Sequence, residues 1–219
     1  MKPSLVIVAV LAGTIVASLS AELRAQSTQL ASWTQWRGPA RDGSFDGARL
    51  PEKLDASNLK ATWRKELGPG YSGPIVTQDR VFVTETKNKK FEVVTALDRS
   101  SGEVVWQTQW EGSMSVPFFA RENGSWIRST PVWDEGRLYV GGIRDVLVCL
   151  DADSGNIVWK MDFPVETGSS NPNFGFASSP MVLDEAIYVQ AGGAFYKLNK
   201  EDGSVIWKTM DDGGGMYGS

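Results

Sequence analysis

The chain of 219 residues contains no histidine and one cysteine, Cys149. The missing histidine removes His-assisted serine or cysteine hydrolysis, His-ligated zinc and haem with a histidine axial ligand. One cysteine leaves no internal disulfide and no Cys-x-x-Cys motif. Cys149 lies in the apolar run Val146 to Leu150, where it reads as a small buried side chain. Basic clusters are nearly as scarce: Lys87, Lys89 and Lys90 form one short group that reads as a solvated turn. With a net charge of -4, the chain lacks the cationic surface that releases counterions from nucleic acid. Nothing in it reads as a long amphipathic helix.

What is present begins with a targeting signal. Lys2 precedes the apolar stretch Leu5 to Val16, and the small residues Ala17, Ser18, Ser20 and Ala21 follow. Residues 1–25 are predicted to be a secretory signal peptide, cleaved after Ala21 or Ala25, which directs the mature protein to the periplasm or the exterior. An uncleaved membrane anchor is the alternative, although the stretch is short for a span of about twenty residues. No cysteine lies directly behind it, which speaks against bacterial-type lipid attachment there. Residues 26–59 are an irregular segment rich in turn formers, with Trp33, Trp36, Gly38, Pro39 and Gly43. Two tryptophans in such a stretch are predicted to pack across a face of the fold.

The rest is a repeat. Leu97-Asp98 to Gly102 to Trp106, Leu150-Asp151 to Gly155 to Trp159, and Leu198-Asn199 to Gly203 to Trp207 share one spacing, four residues and four. Pro74, Pro131 and Pro180 each precede an apolar trio by seven residues, and the tryptophans recur at about fifty. That period belongs to solenoids and propellers. Each copy divides into four short β-branched or aromatic runs, with a turn closed by Asp or Asn and by glycine between the third and fourth. The fold class is therefore all-β: four-stranded antiparallel blades at about 72–110, 128–163 and 177–210, within a partial β-propeller over 60–219. Trp106, Trp159 and Trp207, on outer strands, are predicted to wedge between blades, where burial of such a ring contributes on the order of 2–3 kcal/mol. Trp63 fits the same position in an orphan outer strand. Asp98, Asp151 and Asp153 read as turn caps, so no metal site is expected.

The Leu-Asp-x-x-Ser-Gly-x-x-x-Trp phrase resembles the tryptophan-docking repeat of the pyrroloquinoline quinone (PQQ)-like propellers. That superfamily includes quinoprotein alcohol dehydrogenases and the outer-membrane protein assembly factor BamB. The segment Trp33 to Gly43, Trp-x-x-Trp-Arg-Gly-Pro-x-Arg-Asp-Gly, resembles the start of exported PQQ-like repeat proteins of planctomycete-type bacteria. The resemblance implies a ring of seven or eight blades, so the chain reads as the amino-terminal part of a longer protein. Met216-Tyr217-Gly218-Ser219 matches the residues just before Pro74, one short of a further proline.

Chemistry is expected on the face that carries the connections from outer to inner strands, which are long and aromatic. The entries to the inner strands, Tyr71, Arg128, Ala177 and Tyr217, should lie near the central channel. Tyr71, Arg128, Trp126, Asn173 and Tyr217 are the candidate ligand- or partner-binding residues; none is assigned a catalytic role. Three functions stay open. The leading one is a non-enzymatic scaffold for other envelope proteins, with no cofactor. The second is a carbohydrate or small-molecule binding module. The third is a quinoprotein dehydrogenase using PQQ and calcium, for which the resemblance implies an adjacent cysteine pair and Glu, Asn and Asp calcium ligands that are not recognisable here.

Overall fold

The computed structural model describes residues 31–45 and 51–210; the predicted signal peptide and Tyr217 lie outside them. Three antiparallel sheets of four strands follow one another, each in chain order from inner to outer strand. The first comprises β1 (Ile75–Val76), β2 (Arg80–Lys87), β3 (Phe91–Asp98) and β4 (Val104–Glu111). The second comprises β5 (Val132–Asp134), β6 (Arg137–Gly142), β7 (Val146–Asp151) and β8 (Ile157–Asp162). The third comprises β9 (Met181–Leu183), β10 (Ala186–Ala191), β11 (Ala194–Asn199) and β12 (Val205–Thr209). Among the described residues the only helices are short: a 3-10 turn at Phe118–Asn123 and α1 (Phe163–Thr167). The architecture is a β-propeller read over three blades.

The middle strands are apolar on both faces because both faces are covered. In the second blade Leu138, Val140, Val148 and Leu150 pack towards Ile75 and Phe82 of the first. The alternate residues Tyr139, Leu147 and Cys149 pack towards Ile187 and Tyr196 of the third. Cys149 is fully buried, and burial pushes its thiol up to about 12, so it stays protonated and unreactive. Each blade carries a register shift at one repeat position, between Ala96 and Leu97, Cys149 and Leu150, and Lys197 and Leu198. The turn that follows is held by its acid. The carboxylate of Asp98 accepts from the Ser100 hydroxyl at 2.6 Å and from the Ser100 and Ser101 amides at 2.9 Å. Those bonds, led by the Ser100 hydroxyl, hold it down at about 2.

Three contacts recur from blade to blade. The first uses the indoles: Trp63 Nε1 donates to Arg99 O at 2.9 Å, Trp106 Nε1 to Ala152 O at 2.9 Å and Trp159 Nε1 to Lys200 O at 3.1 Å. Each ring lies flat over the turn glycine of the following unit. At Gly155, where φ is +74°, a Cβ would sit 2.6 Å from the Trp106 ring, so the position admits glycine alone. Trp207 is 40% exposed, and its ring contacts, with Tyr188 and Phe195, fall within its own blade. The second contact uses a hydroxyl before the repeat proline: Thr130 Oγ1 accepts from Gly73 N at 3.1 Å, and Ser179 Oγ accepts from Thr130 N at 3.2 Å.

The third uses buried carboxylates six residues before the turn acid. Glu92 Oε1 accepts from Ile143 N of the second blade at 2.6 Å, while its Oε2 accepts from Trp110 Nε1 at 2.6 Å. Asp145, at the equivalent position, accepts from Gly192 N of the third blade. Both acids are 1% exposed. Burial outweighs these hydrogen bonds and pushes the Glu92 carboxyl up to about 7 and that of Asp145 to about 6.

The segment Trp33 to Gly43 crosses the inner strands of all three blades. Trp33 exchanges backbone hydrogen bonds with Val76 at 2.6 and 2.9 Å, and Trp133 N donates to Thr34 O at 2.8 Å. Arg41 then donates to Pro180 O at 3.2 Å and Ser179 O at 3.5 Å. The guanidinium groups of Arg37 and Arg41 lie 5.4 and 5.5 Å from the centre of the Trp36 ring. Replacing Arg41 by alanine is expected to destabilise the chain by about 1 kcal/mol. A thermal melt of the variant checks this; a midpoint unchanged within a degree contradicts the role of the strap.

Candidate functional site

The connection from β4 to β5 runs along one end of the first two blades and is pinned at its return. Ile127 N donates to Thr86 Oγ1 at 2.9 Å, and Tyr71 N donates to Ile127 O at 2.8 Å. This pairing brings two sequence-predicted residues together: the Arg128 guanidinium lies 5.5 Å from the centre of the Tyr71 ring. Arg128 also donates to Trp126 O at 3.4 Å and to Gly124 O at 3.5 Å. Tyr71 and Arg128 line a cleft of about 420 Å³ with Val116, Ala120, Gly124 and Phe174. Trp126 lines a second cleft of about 390 Å³, which shares Val116 and Gly124 with the first and adds Lys89, Met114, Arg121 and Glu122.

The other candidates fare differently. Asn173 is exposed and lines neither cleft; its neighbour Phe174 reaches the site instead. Ala177 is half-buried and absent from both linings. Residues that the repeat pattern did not single out complete the surface. Phe118 and Phe119, on the 3-10 turn, are 80% and 69% exposed and meet edge-on at 6.0 Å. Phe119 in turn meets Phe174 edge-on at 6.1 Å, joining the two long connections. Their signal in the sequence was weak: adjacent aromatics in a loop long enough to hold them on either side of the fold.

A different cleft, of about 400 Å³, opens where the β5–β6 and β7–β8 turns meet Lys200. Lys200 reaches Glu135 at 3.0 Å, Asp134 at 3.2 Å and Glu185 at 3.5 Å. The hydrogen bond to Glu135 leads the effects that raise its pKa above the ordinary lysine value. Asp134 and Glu135 are therefore engaged in joining the second blade to Lys200 of the third.

A PQQ cofactor held by calcium requires a hard-cation site built of several oxygen ligands, carboxylates among them. Among the described residues no group of three His, Cys, Asp or Glu converges. Among the described residues no carboxylate lines the Tyr71–Arg128 cleft, so the donor set they present does not fit such a metal.

The family model described as outer membrane protein assembly factor BamB matches residues 52–124 and 89–218. This chain belongs to the BamB family. All three blades fall within the match, whereas the Trp33–Gly43 strap precedes it. The BamB of Shewanella oneidensis is 24% identical over 155 residues, covering 68% of this chain and 36% of that protein. A putative dehydrogenase XoxF of Paracoccus denitrificans is 24% identical over 212 residues, covering 90% of this chain and 33% of that protein. Among solved structures, the quinohemoprotein alcohol dehydrogenase from Comamonas testosteroni superposes with a TM-score of 0.58 at 19% identity. That match covers 86% of this chain and 28% of the other, and it speaks for the fold alone. The chain thus spans about a third of the length of these curated relatives. Among the described residues no helix is long and apolar enough to cross a membrane.

Proposed function

We propose that this BamB-family chain is a non-enzymatic interaction scaffold of the cell envelope, with its contact surface on the connections between blades. The observation that carries the reading is the exposed Phe118–Phe119 pair beside the Tyr71–Arg128 cleft. Large exposed aromatics next to an arginine are the residue types that dominate protein–protein binding energy. The names of the BamB relatives, which place those proteins in outer membrane protein assembly, support an envelope partner here. The signal peptide predicted from the sequence at residues 1–25 supports the same location.

A double substitution, Phe118→Asp with Phe119→Asp, is expected to reduce recovery of an envelope partner at least tenfold in a pull-down with the full chain. Both side chains are more than two-thirds exposed, and Phe119 touches Phe174 only by a ring edge, so the melting temperature stays within about 2 °C. Equal recovery by the variant and the parent contradicts the assignment of the surface.

The second reading, a PQQ and calcium dehydrogenase, draws on the XoxF relative. Titrating the full chain with PQQ and calcium while following dye reduction by alcohols separates the two. Saturable cofactor binding with turnover replaces the scaffold reading.

A further inference from the structure

The two clefts beside Phe118 and Phe119 adjoin at Val116 and Gly124, and, taken together as one groove, their chemistry names the kind of chain that fits. They share Val116 and Gly124, and the 3-10 turn serves both, with Ala120 facing one and Arg121 and Glu122 the other. The apolar part of the floor is Val116, which is buried, with Met114 and Trp126, which are half-buried, beside the hydroxyls of Ser115 and Ser125. A Cβ at Gly124 would fall 2.0 Å from the Trp126 ring, which shows how closely that indole lies along the wall. A wall of six residues in 3-10 conformation is about 12 Å long, the reach of roughly four residues of extended peptide.

The rim is cationic on a chain whose net charge is -4. Arg128 stands at one end, Lys89 and Arg121 at the other, and among the described residues Glu122 is the one carboxylate along the groove. Neither Lys89 nor Arg121 lies within ion-pair distance of a carboxylate among the described residues. Apolar pockets between cations separate the demands on a ligand: side chains on one face of an extended segment enter the floor, and the alternate ones meet the rim.

We infer that this groove binds an extended acidic peptide segment in which apolar and carboxylate side chains alternate, supplied by the envelope partner. The inference deepens the scaffold reading and rests on it for the source of the peptide. The concave floor favours a peptide over an anionic bilayer, which would meet the exposed Phe118 and Phe119 but leave Val116 and Trp126 unfilled.

The test uses the full chain and three capped six-residue peptides: alternating Asp and Leu, alternating Lys and Leu, and alternating Asp and Ser, measured by calorimetry. The Asp–Leu peptide is expected to bind at least tenfold more tightly than either of the others. Charge reversal by Lys89→Glu with Arg121→Glu is expected to weaken it tenfold or more and to strengthen the Lys–Leu peptide. Both positions are exposed, and an unchanged melting temperature certifies the fold of the variant. Equal binding of the peptides, indifference to the charge reversal, or association with phosphatidylglycerol vesicles without peptide binding overturns the inference. Capture of the envelope partner by the charge-reversed chain at the parent level also overturns it, while leaving the scaffold reading intact. Charge-dependent peptide binding by a chain that captures no envelope protein supports the groove and removes the scaffold reading.

Discussion

Replacing Trp106 by alanine is expected to destabilise the chain by about 3–5 kcal/mol, among the largest effects of any single substitution here. The indole fills the seam between the first two blades. It sits 5.9 Å from the Phe82 ring, lies against Gly155 and donates to Ala152 O at 2.9 Å. Truncation removes the transfer free energy of the ring, leaves a cavity between two sheets that cannot close independently, and orphans a carbonyl. For a chain of this size the midpoint of thermal unfolding falls by roughly 10 °C. Trp207→Ala, measured on the same chain, supplies the control. Its ring is 40% exposed and its aromatic contacts among the described residues lie within its own blade, so the loss is about 1 kcal/mol. Equal losses at the two positions contradict the account of the seam.

The second large effect is expected at Glu92, and it depends on pH. Glu92→Ala leaves two buried donors, Ile143 N–H and Trp110 Nε1–H, without acceptors, at a cost of about 2–6 kcal/mol. The parent carries a further signature. Burial raises the carboxyl from 4.5 to about 7, against the opposing pull of the two hydrogen bonds and of the charges of Lys160 and Arg144. In the unfolded chain the group ionises near 4.5, whereas in the folded chain it keeps its proton to about 7. Stability from this group is therefore full below about pH 4.5 and is lost as the pH rises to about 7. The whole change is at most about 3 kcal/mol. Asp145, raised from 3.8 to about 6, adds a loss of the same sign at lower pH. Denaturant unfolding of the parent between pH 4.5 and 8 is expected to show this decline, and Glu92→Gln to flatten it. A variant whose profile parallels that of the parent would falsify the assignment.

How much of this could be read beforehand follows from what repeats. The Asp–Gly–Trp phrase occurs three times at fixed spacing, so the four-stranded unit and its turns were readable from residue types alone. The carboxylate and hydroxyl contacts were not. Each occurs in two of the three units: Gly193 stands where Glu92 and Asp145 do, and Gly73 where Thr130 and Ser179 do. A glutamate amid valines on a strand looks like an ordinary solvent-facing residue until the neighbouring blade covers it. The site was half readable for a related reason. Tyr71 and Arg128 follow from their places beside the inner strands, but Phe118, Phe119 and Phe174 depend on how two irregular connections fold over one another. Loop conformation carries no period, so the spacing could not tell that Phe174 lines the cleft while its neighbour Asn173 stands exposed outside it.

The amino-terminal strap also bears on the order of assembly. Its last anchor, Arg41 to Pro180, joins positions 139 residues apart. During synthesis the leading end therefore emerges long before its final seat exists, and must wait while the intervening sheets form. Docking of that segment reports completion of the third unit, with the slow kinetics of a contact distant in sequence.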